Sequence, residues 1–176
     1  MTREWLTKSR LIETMRTTRE EWEEALFAIG EARMLYPGVD GDWSARDVVA
    51  HTAAYERWLL ERLEAQTNGV SPRPSVMDDE DCARREQAAH ALTAAFPLDL
   101  TLGDSWLTWE KLNLAVERLP DAQLNDARLA PSFVKRRWGP EATLGQAIAS
   151  VTYEHYREHL PAFRALAEEP EECCAC

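Results

Sequence analysis

The stretch Trp43-Ser44-Ala45-Arg46-Asp47-Val48-Val49-Ala50-His51 decides the fold. Ser44 sets a hydroxyl ahead of an apolar run. Asp47, three residues on, can accept a hydrogen bond from the backbone at which that hydroxyl sits, a Ser-x-x-acid form of the capping box. A helix started there continues through Val48, Val49, His51, Thr52, Tyr55, Trp58, Leu59 and Leu63, and ends before Asn68-Gly69.

Outward from this helix the chain repeats the same pattern. Upstream, Trp5, Leu6, Ile12, Met15, Trp22, Leu26 and Ile29 fall on near-helical spacing, which predicts one long amphipathic helix from Glu4 to Ile29. Residues 36–42, Tyr-Pro-Gly-Val-Asp-Gly-Asp, are dense in turn formers and read as a loop. Downstream, Pro72 and Pro74 enforce extended backbone, and a weaker helix is expected from Asp78 to Phe96, interrupted at Pro97. Thr101 to Leu119 reads as a core helix carrying Leu102, Trp106, Trp109, Leu112, Leu114 and Val116. Asn125 to Pro140 breaks the pattern and reads as an ordered loop. Thr143 can then cap a last long helix, Leu144 to Glu168, in which Pro161 is expected to bend or weaken the ladder. Nowhere does the sequence alternate as a strand does.

These segments predict an all-α protein. At 176 residues the chain fits one domain, expected over residues 1–167. An acidic tail over 168–176 ends in Cys173-Cys174-Ala175-Cys176 and is expected to be disordered. Three of the four cysteines lie in that tail, which is no disulfide framework. A net charge of −11 produces a field that repels phosphate backbones and anionic lipid heads. The expected partner is therefore a small molecule, with no nucleic acid and no membrane. With neither a secretory segment nor a spanning run, a cytoplasmic location is expected. The wide tryptophan-rich faces leave room for a homodimer.

Chemistry concentrates on three of the four histidines. His155 and His159 stand four apart, so both imidazoles leave one helix face, and His51 lies two turns into the second helix. Three neutral imidazoles from two helices can hold a divalent ion with open positions, or can be satisfied core groups. Tyr55, one turn after His51, is a candidate hydrogen-bond donor to developing negative charge, or an aromatic core residue. Tyr156 and Glu154 are offset partly away. Trp22, Trp58, Trp106 and Trp109 read as core, and Trp43 as a staple for the second helix. Lys135-Arg136-Arg137 reads as a solvated loop, or with Phe133 and Trp138 as a lid over the pocket.

The nonapeptide Trp43–His51 resembles the Trp-Ser/Thr-x-x-Asp-Val-x-x-His start of the second helix in DinB/YfiT-like proteins. The pair His155 and His159 is similar to their other two ligands. The resemblance implies an antiparallel four-helix bundle, with an additional short helix and the ordered loop before the last helix, and a divalent-metal site of zinc or nickel at His51, His155 and His159. Thiol-dependent transferases of that superfamily continue the last histidine into Arg-Gly-Gln, whereas here Leu160-Pro161 follows. Residues 152–161, Thr-Tyr-Glu-His-Tyr-Arg-Glu-His-Leu-Pro, with Gly41-Asp42-Trp43-Ser44, resemble the ClbS/DfsB group instead. That implies a hydrolytic detoxifying or self-resistance role toward a reactive electrophile such as an electrophilic cyclopropane. Its catalytic residues would be His51, Tyr55, His155 and His159, with or without a metal. A metal- and thiol-dependent S-transferase and a sequestering protein that binds without turnover stay open as alternatives.

Overall fold

In a computed structural model, residues 7–168 are described, together with their side chains apart from those of Ser132 and Phe133. The tail with Cys173, Cys174 and Cys176, and the first residues of the expected first helix, lie outside the described residues. The chain is helical: α1 (Lys8–Ile29), α2 (Ala45–Thr67), α3 (Cys82–Thr93), α4 (Leu98–Arg118), α5 (Asp121–Leu124), α6 (Ser132–Trp138), α7 (Leu144–Val151) and α8 (Tyr153–Glu168). α1, α2, α4 and the α7–α8 pair form a four-helix bundle, with α2 against α4, and α1 against α8.

The cap at Ser44 is realised in full. Its hydroxyl accepts from the Asp47 N–H while the Asp47 carboxylate accepts from the Ser44 N–H at 3.0 Å. Two of the four orphan amides at the helix start are thereby satisfied. Thr143 and Gln146 form the same device at α7. The core is led by Trp22, fully buried on α1, whose ring lies 4.7 Å from that of Tyr156 and 4.6 Å from that of Phe163. Leu11, Met15, Leu59, Leu63, Leu112, Leu144 and Ile148 complete its centre.

Four expectations are corrected. Residues 36–42 are not only a loop: Pro37–Asp40 (β1) pairs antiparallel with Trp43–Ser44 (β2), and Gly41 at φ 60 makes the turn that a side chain would resist. Within 125–140 there is a helix, α6, because Pro131 precedes its start and Gly139, at φ 95, follows its end. The residues that read as loop formers are its punctuation. The last helix breaks at Thr152 rather than at Pro161, which lies inside α8. The buried Thr152 hydroxyl donates to the Ile148 carbonyl at 2.7 Å alongside the Thr152 N–H at 3.0 Å, the back-bonding by which threonine bends a helix. Trp106 and Leu114 are not core residues, being 55% and 45% exposed. The buried stripe of α4 runs through Thr101, Ser105, Thr108, Trp109, Leu112 and Val116, and Trp106 is one step off it.

Candidate functional site

Three elements converge on one side of the bundle. α2 contributes His51 and Tyr55 from adjacent turns, α8 contributes His155 and His159, and the β-hairpin contributes Asp40 and Trp43. The break at Thr152 starts α8 afresh just before His155. The structure brings all four site residues expected from the sequence together. His51 Nε2 lies 3.0 Å from His155 Nε2, and the Tyr55 ring is 5.0 Å from His51 and 5.2 Å from His155. The His159 ring lies 5.2 Å from His155 and 5.9 Å from His51. Two adjoining cavities of about 480 and 570 Å³ meet at His51 and His155. One runs under α3 and α6 past Tyr55, Cys82 and Arg85; the other opens past Asp40, Trp43 and His159.

Burial sets the charge state of the site. Desolvation pushes His51 down to about 3 and His155 well below its ordinary range, and each further suffers from the neighbouring histidines. Both are neutral at physiological pH, so one N–H can donate to the other's lone pair across the 3.0 Å gap. His159 is lowered by burial as well, but Asp40 opposes that shift, with its Oδ2 3.7 Å from His159 Nδ1. Tyr55 is raised by desolvation, while a hydrogen bond from Arg85 to its phenol works the other way. A phenol that accepts from Arg85 keeps its own proton to give. Cys82, exposed at the mouth, is raised by burial and by Glu86, to which its thiol donates at 3.2 Å. That makes it a poor nucleophile.

Among the described residues, His51, His155 and His159 form the group of metal-type ligands whose nitrogens all lie within 4.8 Å of one another. Nitrogens sharing one ion at about 2.1 Å stand about 3.0–3.4 Å apart, a spacing His51 and His155 already hold. Three neutral imidazoles therefore fit a divalent ion as a donor set. His51 Nδ1, however, is buried without a partner among the described residues, where a ligating imidazole usually donates its second N–H.

Several side chains around the site escaped the sequence reading. Trp43 is more than a staple: its ring stacks at 5.0 Å on His90 and meets His51 edge-on at 5.1 Å. Asp40 could not be paired with His159 across 119 positions of chain. α6 is held over the groove by Arg137 to Glu158 at 2.8 Å and by Trp138 Nε1 to Ser150 Oγ at 2.9 Å. Val134 and Arg136 line the cavity beside it. Tyr156 and Glu154 do point away: Tyr156 donates to the buried Glu56 and accepts from Arg19 at 3.0 Å. Glu154 accepts from Ser150. The buried trio was detectable in principle, because Glu56 stands on the stripe Thr52, Leu59, Leu60, Leu63, and Arg19 on Met15, Trp22, Leu26.

No family model and no curated protein matches the chain. Solved structures do. A protein from Streptococcus pneumoniae superposes with a TM-score of 0.76 at 14% identity, covering 94% of this chain and 92% of the other. The colibactin self-resistance protein ClbS, in complex with a dsDNA, superposes at 0.75 with 16% identity, over 92% and 96%. An uncharacterised protein from Escherichia coli UTI89 gives 0.71 at 14%, over 92% of each.

The ClbS complex overturns the expectation that net charge excludes a nucleic-acid partner, since a protein of this fold is crystallised on dsDNA. Net charge is a sum over the whole chain. Contact with phosphate is governed by charges within a Debye length of about 8–10 Å, and Lys135, Arg136 and Arg137 stand together on α6 in this otherwise acidic molecule. Among the described residues no helix is long and apolar enough to cross a membrane. The chain has the ClbS-like helical fold.

Proposed function

We propose that this chain is a ClbS-like detoxifying or self-resistance protein that hydrolyses a small reactive electrophile in the groove formed by His51, Tyr55, His155 and His159. The observation that carries the reading is the 3.0 Å contact between two buried neutral imidazoles, with a phenol and a carboxylate-backed histidine facing the same groove.

The four groups divide by their electrostatics. An imidazole held far below neutral pH is a weak base, which suits His51 and His155 to offering lone pairs and hydrogen bonds. His159, steadied by Asp40, is the better proton acceptor. Water attacks the electrophilic carbon; the new C–O bond forms as the strained or activated bond of that carbon breaks. His159 takes the proton from water. The electron pair released into the leaving fragment accepts a hydrogen bond from Tyr55, and the fragment then receives a proton from the His159 imidazolium. A divalent zinc or nickel ion, if held by His51, His155 and His159, would supply Lewis acidity toward water in place of that base. The acidic groups at the rim, Glu86 and Glu158, and the thiol of Cys82 make no step of the reaction.

The likeness to ClbS also supports duplex DNA as the surface on which such an electrophile is met, with α6 as the phosphate-contacting element: Arg136 and Arg137, which line the groove and are paired with Glu80 and Glu158, exchange those carboxylates for phosphate, and Lys135 adds its charge beside them.

The test is to incubate the protein with an acyl-activated cyclopropane in water labelled with heavy oxygen and follow the product by mass spectrometry. The expected product is the ring-opened alcohol carrying one labelled oxygen. His155→Ala abolishes its formation with the helical circular dichroism intact, and Tyr55→Phe slows it about 10- to 100-fold. Saturable binding with the cyclopropane unchanged rejects hydrolysis in favour of sequestration. Turnover that needs an added thiol and a stoichiometric metal rejects it in favour of transfer.

A further inference from the structure

On the other side of the core, α1 and α4, with Met34 after α1 and Val49 of α2, line a second cavity of about 430 Å³, a size that suits a small organic ligand. It shares no lining residue with the histidine groove. Its walls are Leu26, Phe27 and Met34 on one side and Leu102 and Trp106 on the other. Phe27 and Trp106 are 90% and 55% exposed, so two aromatic rings stand at an open mouth.

The floor is polar and buried. Arg19 is 5% exposed and Ser105 2%. The guanidinium has five N–H groups. Nε donates to Glu23, Nη1 donates to Ser105 and Tyr156, and Nη2 donates to Ser105. One N–H of Nη2 is left with no acceptor among the described residues. The Ser105 oxygen accepts from Arg19 twice, and its own hydroxyl proton likewise has no acceptor there. Two buried donors without an acceptor among the described residues, on side chains that line the floor of the cavity, are costly unless something accepts from them.

The rim decides the charge of that acceptor. Glu23 and Glu31 both line the cavity, and Glu23 already partners Arg19. A carboxylate or sulfonate entering there meets two carboxylates, whereas a neutral carbonyl oxygen accepts both hydrogen bonds without that repulsion.

We propose that the α1–α4 groove is a second binding site, independent of the histidine groove, for a neutral aromatic or alicyclic molecule whose carbonyl oxygen accepts from Arg19 and Ser105. The ring system lies between Phe27 and Trp106, and the carbonyl reaches the floor.

The probe is prodan, a neutral propionyl-naphthalene dye whose emission reports both apolar surroundings and hydrogen bonding to its ketone. Titrating the full chain with it gives saturable binding with a blue shift and quenching of tryptophan emission. Ser105→Ala, which removes one donor and leaves the other contacts of Arg19 in place, weakens binding about 3- to 10-fold. Phe27→Ala, at a surface position that does not threaten folding, weakens it by a similar factor. His155→Ala leaves the affinity unchanged. Absence of saturable binding overturns the proposal. So does loss of binding in His155→Ala with Ser105→Ala unaffected, which places the dye in the other groove. Tighter binding of the anionic analogue anilinonaphthalene sulfonate also overturns it, since the acceptor would then be an anion.

Discussion

The two grooves flanking the core both keep basic side chains out of water, and they do so by opposite means. In the histidine groove burial strips the proton from the imidazoles, so His51 and His155 need no counter-charge. In the α1–α4 groove burial also disfavours the charge of Arg19, but a guanidinium cannot lose its proton at any accessible pH. Tyr156 and Glu56, with a hydrogen bond to Glu23, outweigh the desolvation and hold Arg19 above its ordinary value. A titratable base can thus be left as a neutral ligand or hydrogen-bonding group for chemistry, whereas a permanent cation commits the surrounding core to supporting it. Glu56 shows the strain of that support: desolvation raises it to about 7 despite Arg19, and one of its oxygens is buried without a partner among the described residues.

The sharpest way to break this comparison is to remove the cation. Arg19→Met leaves Glu56 and Tyr156 buried without their charge partner, and should cost about 3–5 kcal/mol in urea unfolding, as broken buried pairs do. The double variant Arg19→Met, Glu56→Gln should recover most of the loss. A single variant as stable as the parent would show that the cation contributes nothing to the core.

A pH titration sets the two grooves against each other in one curve. In the metal-free protein, His51 and His155 are neutral when folded but protonate below about 6.5 when unfolded. Their stabilisation is complete above that pH and lost as pH falls, for His51 toward about 3. Glu56, raised from 4.5 to about 7, works the other way: its contribution is present below 4.5 and lost as pH rises toward 7. Each group changes stability by at most about 1.4 kcal/mol per pH unit. Two histidines outweigh one carboxyl, so stability should rise between pH 5 and 6 by about 1 kcal/mol. Glu56→Gln should steepen that rise, and a flat or falling curve would mean that the imidazoles are not held neutral.

The smallest effect concerns the histidine side alone. Ser44→Ala removes the cap that starts α2 about two turns before His51, and should cost about 1 kcal/mol by thermal unfolding. Because β2 and α2 meet at Ser44, cyclopropane opening should fall as well, while prodan binding in the α1–α4 groove stays as it was.

Much of the bundle was legible because its signals are local. Ser44 with Asp47, Thr143 as the cap of the last helix, and the apolar stripe of α2 each depend on residues within a turn or two of one another. The triad was legible through the four-residue spacing of His155 and His159 and the motif that ends in His51. The helix α6 was not, because Pro131 and Gly139 interrupt a pattern by the same chemistry whether they border a loop or a short helix. Nor was the break at Thr152, where a hydroxyl sharing the Ile148 carbonyl with the ladder marks the bend and a proline nine residues on does not. Trp106 was misplaced because an aromatic one step off the buried stripe cannot be told from one on it until the partner helix is in place.

What the amino-acid sequence determined by itself was the helical content, the caps and which histidines could share a face, since these follow from hydrogen bonds and periodicity within a segment. Tertiary structure alone decided that His51 lies 3.0 Å from His155 and that Asp40 supports His159. It also decided that Arg19 and Glu56 meet through Tyr156 in the core. Those contacts join residues about 100 or more positions apart, and the desolvation that sets their charge states exists only once the helices have closed around them.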